Sequence, residues 1–345
     1  MKKYRKLSEV AEIITGKLDS NAAADSGIYP FFTCGAEPLR IHEFAYDMDA
    51  ILLAGNNAQG NFHCQRFKGK FNAYQRTYII APKFGYNIDY IFYNLKINLS
   101  NFKRLSQGSQ TKFLTMDILD SFLIEDLPFS KQIENTKLLS ILDKKIEINK
   151  QINDNLVKQM NFIFQNMMSK VMNNRIKGEY VSVKNLTQVV TGKEDANFSD
   201  ENGKYKFFTC SNEILKCNEY KFNSSSVLIA GNGDFNVKHY TGKFNAYQRT
   251  YVLTPQKDYY ALLYLSSVER INALKLRSTG SIIKFITKND IESIPVFIPW
   301  DKNISNILNQ LLSLKDKNSS ENEYLISLRD YLLPLLLNGQ VTVED

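Results

Sequence analysis

The sequence predicts a mixed α/β protein. One α/β domain occurs twice, and two long helices separate and follow the copies, pairing as an antiparallel coiled coil about a pseudo-two-fold axis. Three observations carry this. Gly69–Tyr78 reads GKFNAYQRTY, and the same ten residues return at Gly242–Tyr251. Shorter landmarks return in the same order, each 176 residues later: Thr15-Gly16-Lys17 as Thr191-Gly192-Lys193, FFTC at Phe31–Cys34 as Phe207–Cys210, and Ala54-Gly55-Asn56 as Ala230-Gly231-Asn232. Each copy is also followed by a long segment with apolar residues at helical spacing.

Residues 1–130 form the first copy. Tyr29–Thr33, Ala50–Ala54 and Thr77–Ala81 are short β-branched and aromatic runs of the kind that form strands. Gly55-Asn56-Asn57 and Gly108-Ser109 read as turns, and Asp89–Asn98 as a short helix. Residues 178–299 repeat this order. The ten-residue block is shifted by only 173 residues, so the second copy has lost part of the preceding loop, GNNAQGNFHCQRFKGK against GNGDFNVKHYTGK. Gln107–Thr115 (QGSQTKFLT) is answered by Thr279–Thr287 (TGSIIKFIT). Loops that vary on a repeated scaffold are where specificity usually resides.

The segment 131–177 is a spacer helix. Lys131–Asn173 holds no Gly or Pro, and its apolar stripe is expected at Leu138, Leu142, Ile146, Ile152, Leu156, Met160, Ile163 and Met167. Pro128 and Gly178 punctuate it. Residues 300–345 hold the second helix and a tail. Its heptad seam is expected at Ile304, Ile307, Leu311, Leu314, Leu325, Leu328, Leu332 and Leu335, with Asn318 and Glu321 as polar interruptions. Pro334 should kink or stop this helix, and Gly339 should end it. The first helix carries the chain from one domain to the next, so a second helix packed on it must run back. A helix of about 40 residues is roughly 60 Å long, which leads us to expect a stiff spacer with a domain at each end.

Bulk composition narrows the function. A chain of 345 residues and 39.7 kDa has room for two domains and a linker, and 43% hydrophobic residues exclude wholesale disorder. A net charge of +7 and a pI near 8.9 suit a nucleic-acid partner without being diagnostic. Four cysteines without a C-x-x-C pair and three histidines in non-equivalent places exclude a four-ligand zinc site. Sparse thiols suit a reducing cytoplasm, and Cys34 and Cys210 are expected as small buried apolar residues. MKKYRK is followed by no apolar core of a signal peptide, and Leu332–Leu337 is too short to cross a bilayer. There is no P-loop, no glycine-rich cofactor loop after a strand, no N/D-P-P-aromatic stretch and no histidine beside a nucleophile. The chain is therefore expected to do no chemistry and to hold no cofactor.

Charge placement points to DNA. Gln65–Tyr86 has no Asp or Glu but carries Arg66, Lys68, Lys70, Arg76 and Lys83, and Phe235–Lys257 is equally acid-free. Tyr90–Met116 and Arg270–Asn289 repeat the feature, the latter with Arg270, Lys275, Arg277, Lys284 and Lys288. Excluding acids locally is what a phosphate-facing surface requires. The candidate contacts are Lys17, Lys70, Asn72, Tyr74, Gln75, Arg76, Ser109 and Lys112, and in the second copy Lys193, Lys243, Asn245, Tyr247, Gln248, Arg249, Ser281 and Lys284. Lys17, Lys112, Lys193 and Lys284 suit phosphates. Core packing is the ordinary reading of Tyr74, Thr77 and Tyr78. For Gln75, Arg76, Gln248 and Arg249, base contact and structural pairing both stay open.

Two stretches and the tandem plan carry a family resemblance: LPFSKQIENTKLLSILDKKIEINKQ (Leu127–Gln151) entering the first helix, and LRDYLLPLLLNGQV (Leu328–Val341) closing the second. The chain resembles the specificity subunit of type I restriction-modification systems. It departs from the usual pattern at Phe129–Gln132, where the family more often has a second Pro and Glu-Gln, and again at FIPWDKNISNILNQ (Phe297–Gln310). The resemblance implies two target recognition domains that each read half of a bipartite double-stranded DNA sequence. It also implies helices that set the spacer and dock two methyltransferase subunits, with restriction subunits joining. S-adenosylmethionine, ATP and Mg would then lie on those partners, and the methylated atom would be adenine N6. The likeness of the two copies adds the expectation of a nearly palindromic target. A specificity component of another restriction class, a stand-alone architectural DNA binder and a coiled-coil scaffold are the competing readings.

Overall fold

The computed structural model describes residues 2–277 and 285–341. The chain divides into two compact units, Met1–Glu147 with Glu323–Asp345, and Ile148–Asn322. Each holds one sheet domain and a part of both long helices.

In the first unit a six-stranded sheet runs in the order Ala11–Thr15, Thr77–Pro82, Tyr46–Ala54, Cys64–Ala73, Tyr29–Phe32, Leu39–Ile41. Only Tyr29–Phe32 and Cys64–Ala73 pair parallel. The second unit repeats the order with Val189–Thr191, Thr250–Leu253, Phe222–Ala230, Val237–Ala246, Tyr205–Phe208 and Ile214–Cys217, and again only Tyr205–Phe208 and Val237–Ala246 are parallel. A two-stranded ribbon accompanies each sheet, Tyr4–Lys6 with Leu123–Glu125 and Gly178–Ser182 with Pro295–Pro299.

The central strand explains the unbroken apolar run in the sequence. Ile51 and Leu53 face a core with Tyr90, Ile91 and Leu95 from the helix Ile88–Ile97, while Ala50 and Leu52 face a second core with Phe32, Phe71 and Ile79. Successive side chains point to opposite faces, and both faces are covered. Val227 and Ile229 against Leu228 repeat the division. The second core is aromatic in both units. Phe71 stacks on Tyr46 at 5.3 Å and meets Phe32 edge-on at 5.7 Å. Phe244 stacks on Phe222 at 5.0 Å and meets Phe208 edge-on at 5.5 Å.

The predicted strands are present and mostly longer, and the predicted short helix is Ile88–Ile97. Two expectations are corrected. Asn56–Asn57 is not only a turn but a short strand paired with Lys112–Phe113. The first half of the duplicated block, read only as a basic stretch, is the end of the strand Cys64–Ala73. Arg66, Lys68 and Lys70 point to solvent while Phe67 and Phe71 turn inward, an alternation the sequence carried.

The long helices are Phe129–Met172 and Asn303–Leu337. Pro128 precedes the first, and its carbonyl accepts from the amides of Lys131 and Gln132. Asn174, with φ of 54°, turns the chain at the other end, earlier than Gly178. Pro334 does not stop the second helix, which runs on to Leu337. Gly339, with φ of 67°, does close it: its amide donates to Leu336 and that of Gln340 to Leu335.

The seam differs from the expected stripe. Ile152 is 40% exposed, and Ile307 and Leu314 are each 45% exposed. Helical spacing from Ile146 falls instead on Asn149, Asn153 and Leu156. Asn149 is buried and donates to Glu321 (2.7 Å) and Asn322 (2.9 Å), while Asn153 exchanges hydrogen bonds with Ser319 (3.2 Å) and Asn318 (3.1 Å). As one number rises the other falls, so the helices run antiparallel here. Leu308 and Leu312 join Met160, Phe164 and Met167 in the core beneath the second sheet. These helices therefore bury a face against their domain as well as against each other, which a two-position heptad seam does not describe. In the first unit Leu139 shares a core with Leu333, Leu336 and Leu337, and Asp143 accepts from Arg329 at 2.6 Å. Among the described residues no helix is long and apolar enough to cross a membrane.

Candidate nucleic-acid interface

The duplicated block folds as strand, turn, strand. Thr77 N–H donates to the Tyr74 carbonyl at 2.8 Å, closing a four-residue turn with Gln75 and Arg76 at its two corners. Neighbours pin the turn on both sides. Tyr74 N–H donates to Phe32 (2.9 Å) and Gln75 N–H to Leu18 (2.8 Å), while the Arg76 carbonyl accepts from Gly55 N–H (2.8 Å) and the Cys34 thiol (3.4 Å). The second copy reproduces these bonds. Thr250 donates to Tyr247 (2.8 Å), Tyr247 to Phe208 (2.9 Å) and Gln248 to Glu194 (2.9 Å), while the Arg249 carbonyl accepts from Gly231 (2.9 Å) and Cys210 (3.3 Å).

This geometry explains the shorter landmarks. A Cβ on Gly16 would lie 2.1 Å from the Ala73 carbonyl oxygen, and one on Gly192 would lie 2.0 Å from that of Ala246. A Cβ on Gly55 would lie 2.4 Å from the Arg76 oxygen, and on Gly231 2.7 Å from that of Arg249. TGK, AGN and FFTC thus recur because all three pack on one turn, and two of them need glycine for the close approach. Gly69 and Gly242, at φ of 132° and 138°, let the preceding strand enter the block in a conformation other residues rarely adopt.

Beside each turn lies a cleft. In the first copy it has about 220 Å³ and is lined by Thr15, Gly55, Gln75, Arg76, Tyr78, Phe113 and Leu114. In the second it has about 330 Å³, and its lining includes the counterparts Thr191, Gly231, Gln248, Arg249, Tyr251, Phe285 and Ile286. The back wall is tied identically. Tyr78 donates its hydroxyl to Leu114 O at 2.8 Å, and Tyr251 donates to Ile286 O at 3.0 Å. Burial pushes both phenols above their ordinary pKa, so they remain protonated donors.

The candidate residues separate into groups. Gln75, Arg76, Gln248 and Arg249 are exposed at the turn corners. Gln75 Nε2 donates to Asp19 at 3.4 Å and Gln248 Nε2 to Asp195 at 2.6 Å. The guanidinium groups of Arg76 and Arg249 have no hydrogen-bond or ion-pair partner among the described residues. Lys17 and Lys193 are exposed, each one residue before the carbonyl that anchors the glutamine amide. Tyr74 and Tyr247 are half-buried, whereas Thr77 and Tyr78 are core residues.

Other candidates stand apart from the turn. Lys70 and Lys243 are exposed over the rings of Phe44 (4.6 Å) and Tyr220 (4.7 Å). Ser109 is exposed and Lys112 half-buried. Asn72 and Asn245 are buried, and each ties its strand to a loop: Asn72 donates to Glu43 O (3.3 Å) and accepts from Ala73 N–H (2.9 Å), and Asn245 donates to Glu219 O (3.4 Å) and accepts from Ala246 N–H (2.9 Å). Their polar atoms serve the fold. Ser281 and Lys284 lie outside the described residues, as do the side chains of Lys275 and Arg277. Cys34 and Cys210 are half-exposed thiol donors to the turn, not buried apolar residues.

Sequence reasoning missed Asp19, Asp195, Tyr78, Tyr251, Gly55 and Gly231 as parts of this site. The signal was available, since landmarks that repeat at a common shift are candidates to converge in space. Among the described residues no group of three His, Cys, Asp or Glu side chains is placed to hold a metal ion.

Fold and site together define a tandem protein that carries one turn-and-cleft module twice. The type I restriction modification DNA specificity domain matches the chain twice, at residues 2–158 and 177–325. The chain belongs to that family. It is 37% identical over 171 residues to the Type I restriction enzyme EcoDI specificity subunit of Escherichia coli, an alignment covering 48% of this chain and 38% of that protein. The chain thus spans well under half the length of the curated relative it matches. Its fold is similar to that of the Type-I restriction-modification system S subunit from M. genitalium, with a TM-score of 0.62 at 17% identity, covering 97% of this chain and 96% of that one.

Proposed function

We propose that this protein is the DNA-reading, non-catalytic specificity subunit of a type I restriction-modification enzyme. Its two recognition domains read the halves of a bipartite, nearly palindromic DNA target. The observation that carries the reading is the duplicated turn and cleft. Two exposed polar side chains stand at the corners of a turn pinned by the same hydrogen bonds in both copies. A scaffold so constrained holds side chains in register with a rigid duplex, and the variable loops around it supply the difference between half-sites.

Methyltransferase and restriction subunits are the partners, docked through the long helices. S-adenosylmethionine, ATP and Mg belong on those subunits, and the catalytic groups do too. Family membership and the E. coli relative's name as a specificity subunit support this assignment.

The test is co-expression with a type I methyltransferase subunit, followed by sequencing of methylated adenines. The expected result is one bipartite motif with related, inverted halves. Two unrelated halves would remove the near-palindrome, and the absence of any motif would remove the reading itself. DNA affinity of the complex should also fall linearly in log–log terms with salt concentration.

A further inference from the structure

We infer that Arg76 and Arg249 are equivalent base-reading residues, and that each reads a guanine at the same place in its own half-site. This rests on the DNA-reading function proposed above and assigns part of its specificity to one residue in each copy.

Three observations and one general pairing rule support it. Both arginines are exposed at the second corner of a turn whose backbone is fixed from both sides, so each guanidinium is presented from a rigid base. Neither has an intramolecular partner among the described residues, in contrast to Arg66, which is spent on Asp49 at 2.9 Å and on Asp89. The adjacent glutamine is held by a carboxylate, Asp19 in one copy and Asp195 in the other. A carboxylate beside the turn disfavours a phosphate there and tolerates a base edge, while the exposed Lys17 and Lys193 suit phosphates nearby. Finally, arginine is the side chain whose paired donors match guanine O6 and N7 in the major groove.

The rims of the clefts differ where the turns do not. In the first copy Lys103 donates to Asn61 at 2.8 Å. In the second copy Asn212 donates to Asp234 at 3.2 Å, and Asn236 to Cys210 O at 2.8 Å. The two half-sites are therefore expected to share the guanine and to diverge at the bases that the rims face.

The experiment selects binding sites from a random-sequence duplex library, using the full chain in complex with its methyltransferase partner. Wild type, Arg76→Ala, Arg249→Ala and the double variant are compared. The wild-type motif should contain one guanine in each half, related by inversion. Arg76→Ala should lose the preference for one of them and Arg249→Ala for the other, each by about 5- to 150-fold. Each single variant should keep the unmutated half of the motif, which also reports that the protein is folded.

A wild-type motif whose halves share no guanine overturns the inference. So does a uniform loss of affinity with unchanged base preference, which marks a phosphate contact, or an A·T-rich stretch in place of the guanine, which marks minor-groove insertion. A single variant that enriches nothing also overturns it, because its effect is then not confined to one base. Failure of the wild-type complex to enrich any motif is a separate outcome and counts against the proposed function.

Discussion

The two copies of the module agree at the turn and its supports and differ in the strand flank and the loop beside it. The turn, its two supporting glycines and its tyrosine tether have the same partners in both. The flank does not. Arg66 binds Asp49 and Asp89 in the first copy, whereas the residue facing the matching strand position in the second is His239. His239 is nearly buried, with Nε2 3.4 Å from Lys315 Nζ, Nδ1 3.5 Å from Asp316, and Tyr264 edge-on at 4.6 Å. The loop before the block turns on Gly60 in one copy, and on Gly233 with the strained Phe235, φ of 46°, in the other. Constraint therefore falls on the platform and freedom on its surroundings, as expected where a common frame serves two reading surfaces.

Substitutions that break the frame in one copy should have the largest effect. Gly16→Val forces a side chain into the Ala73 carbonyl, and should cost on the order of 3 kcal/mol in urea unfolding and abolish reading of one half-site. Gly192→Val should do the same to the other half. Equal loss of both halves from either change would mean that the copies do not act independently.

Exchanging the differing flank is the next test. Arg66→His leaves Asp49 and Asp89 without their shared cation, and should cost about 2 kcal/mol. The Asp49→Ser, Arg66→His double variant, which makes the pair resemble Ser225 and His239, should recover part of that loss. Tyr78→Phe removes the donor to Leu114 O and should cost about 1 kcal/mol, as should Tyr251→Phe; unequal costs would locate a difference hidden in the tether. The smallest effect is expected at Lys70 and Lys243. Each lies over an exposed ring, so replacement by Ala should change stability by about 0.5 kcal/mol.

Much of this was legible from sequence because a duplicated sequence states which residues answer each other. The helices were legible for a simpler reason: Lys131–Asn173 lacks any breaker, and Gly339 ends the second helix as expected. The seam was less so. A search for apolar residues passes over Asn149 and Asn153 and selects Ile152, which faces solvent. Only the facing helix reveals that amides occupy the buried positions. Asn72 and Asn245 were hidden in another way: their residue type suits base contact, and strand alternation puts them on the face of Lys70 and Lys243, but there they are buried and bonded to backbone groups that composition does not show.

Asn149 and Asn322 lie 173 residues apart, the same shift that relates the duplicated blocks, and they touch. Here a side chain meets its own counterpart. An amide pair could also be shared evenly, each group donating to the other, but in the bond observed here Asn149 gives the proton and Asn322 receives it. The repeat is thus also a rule of pairing, in which likeness brings two residues together and the bond between them assigns different parts.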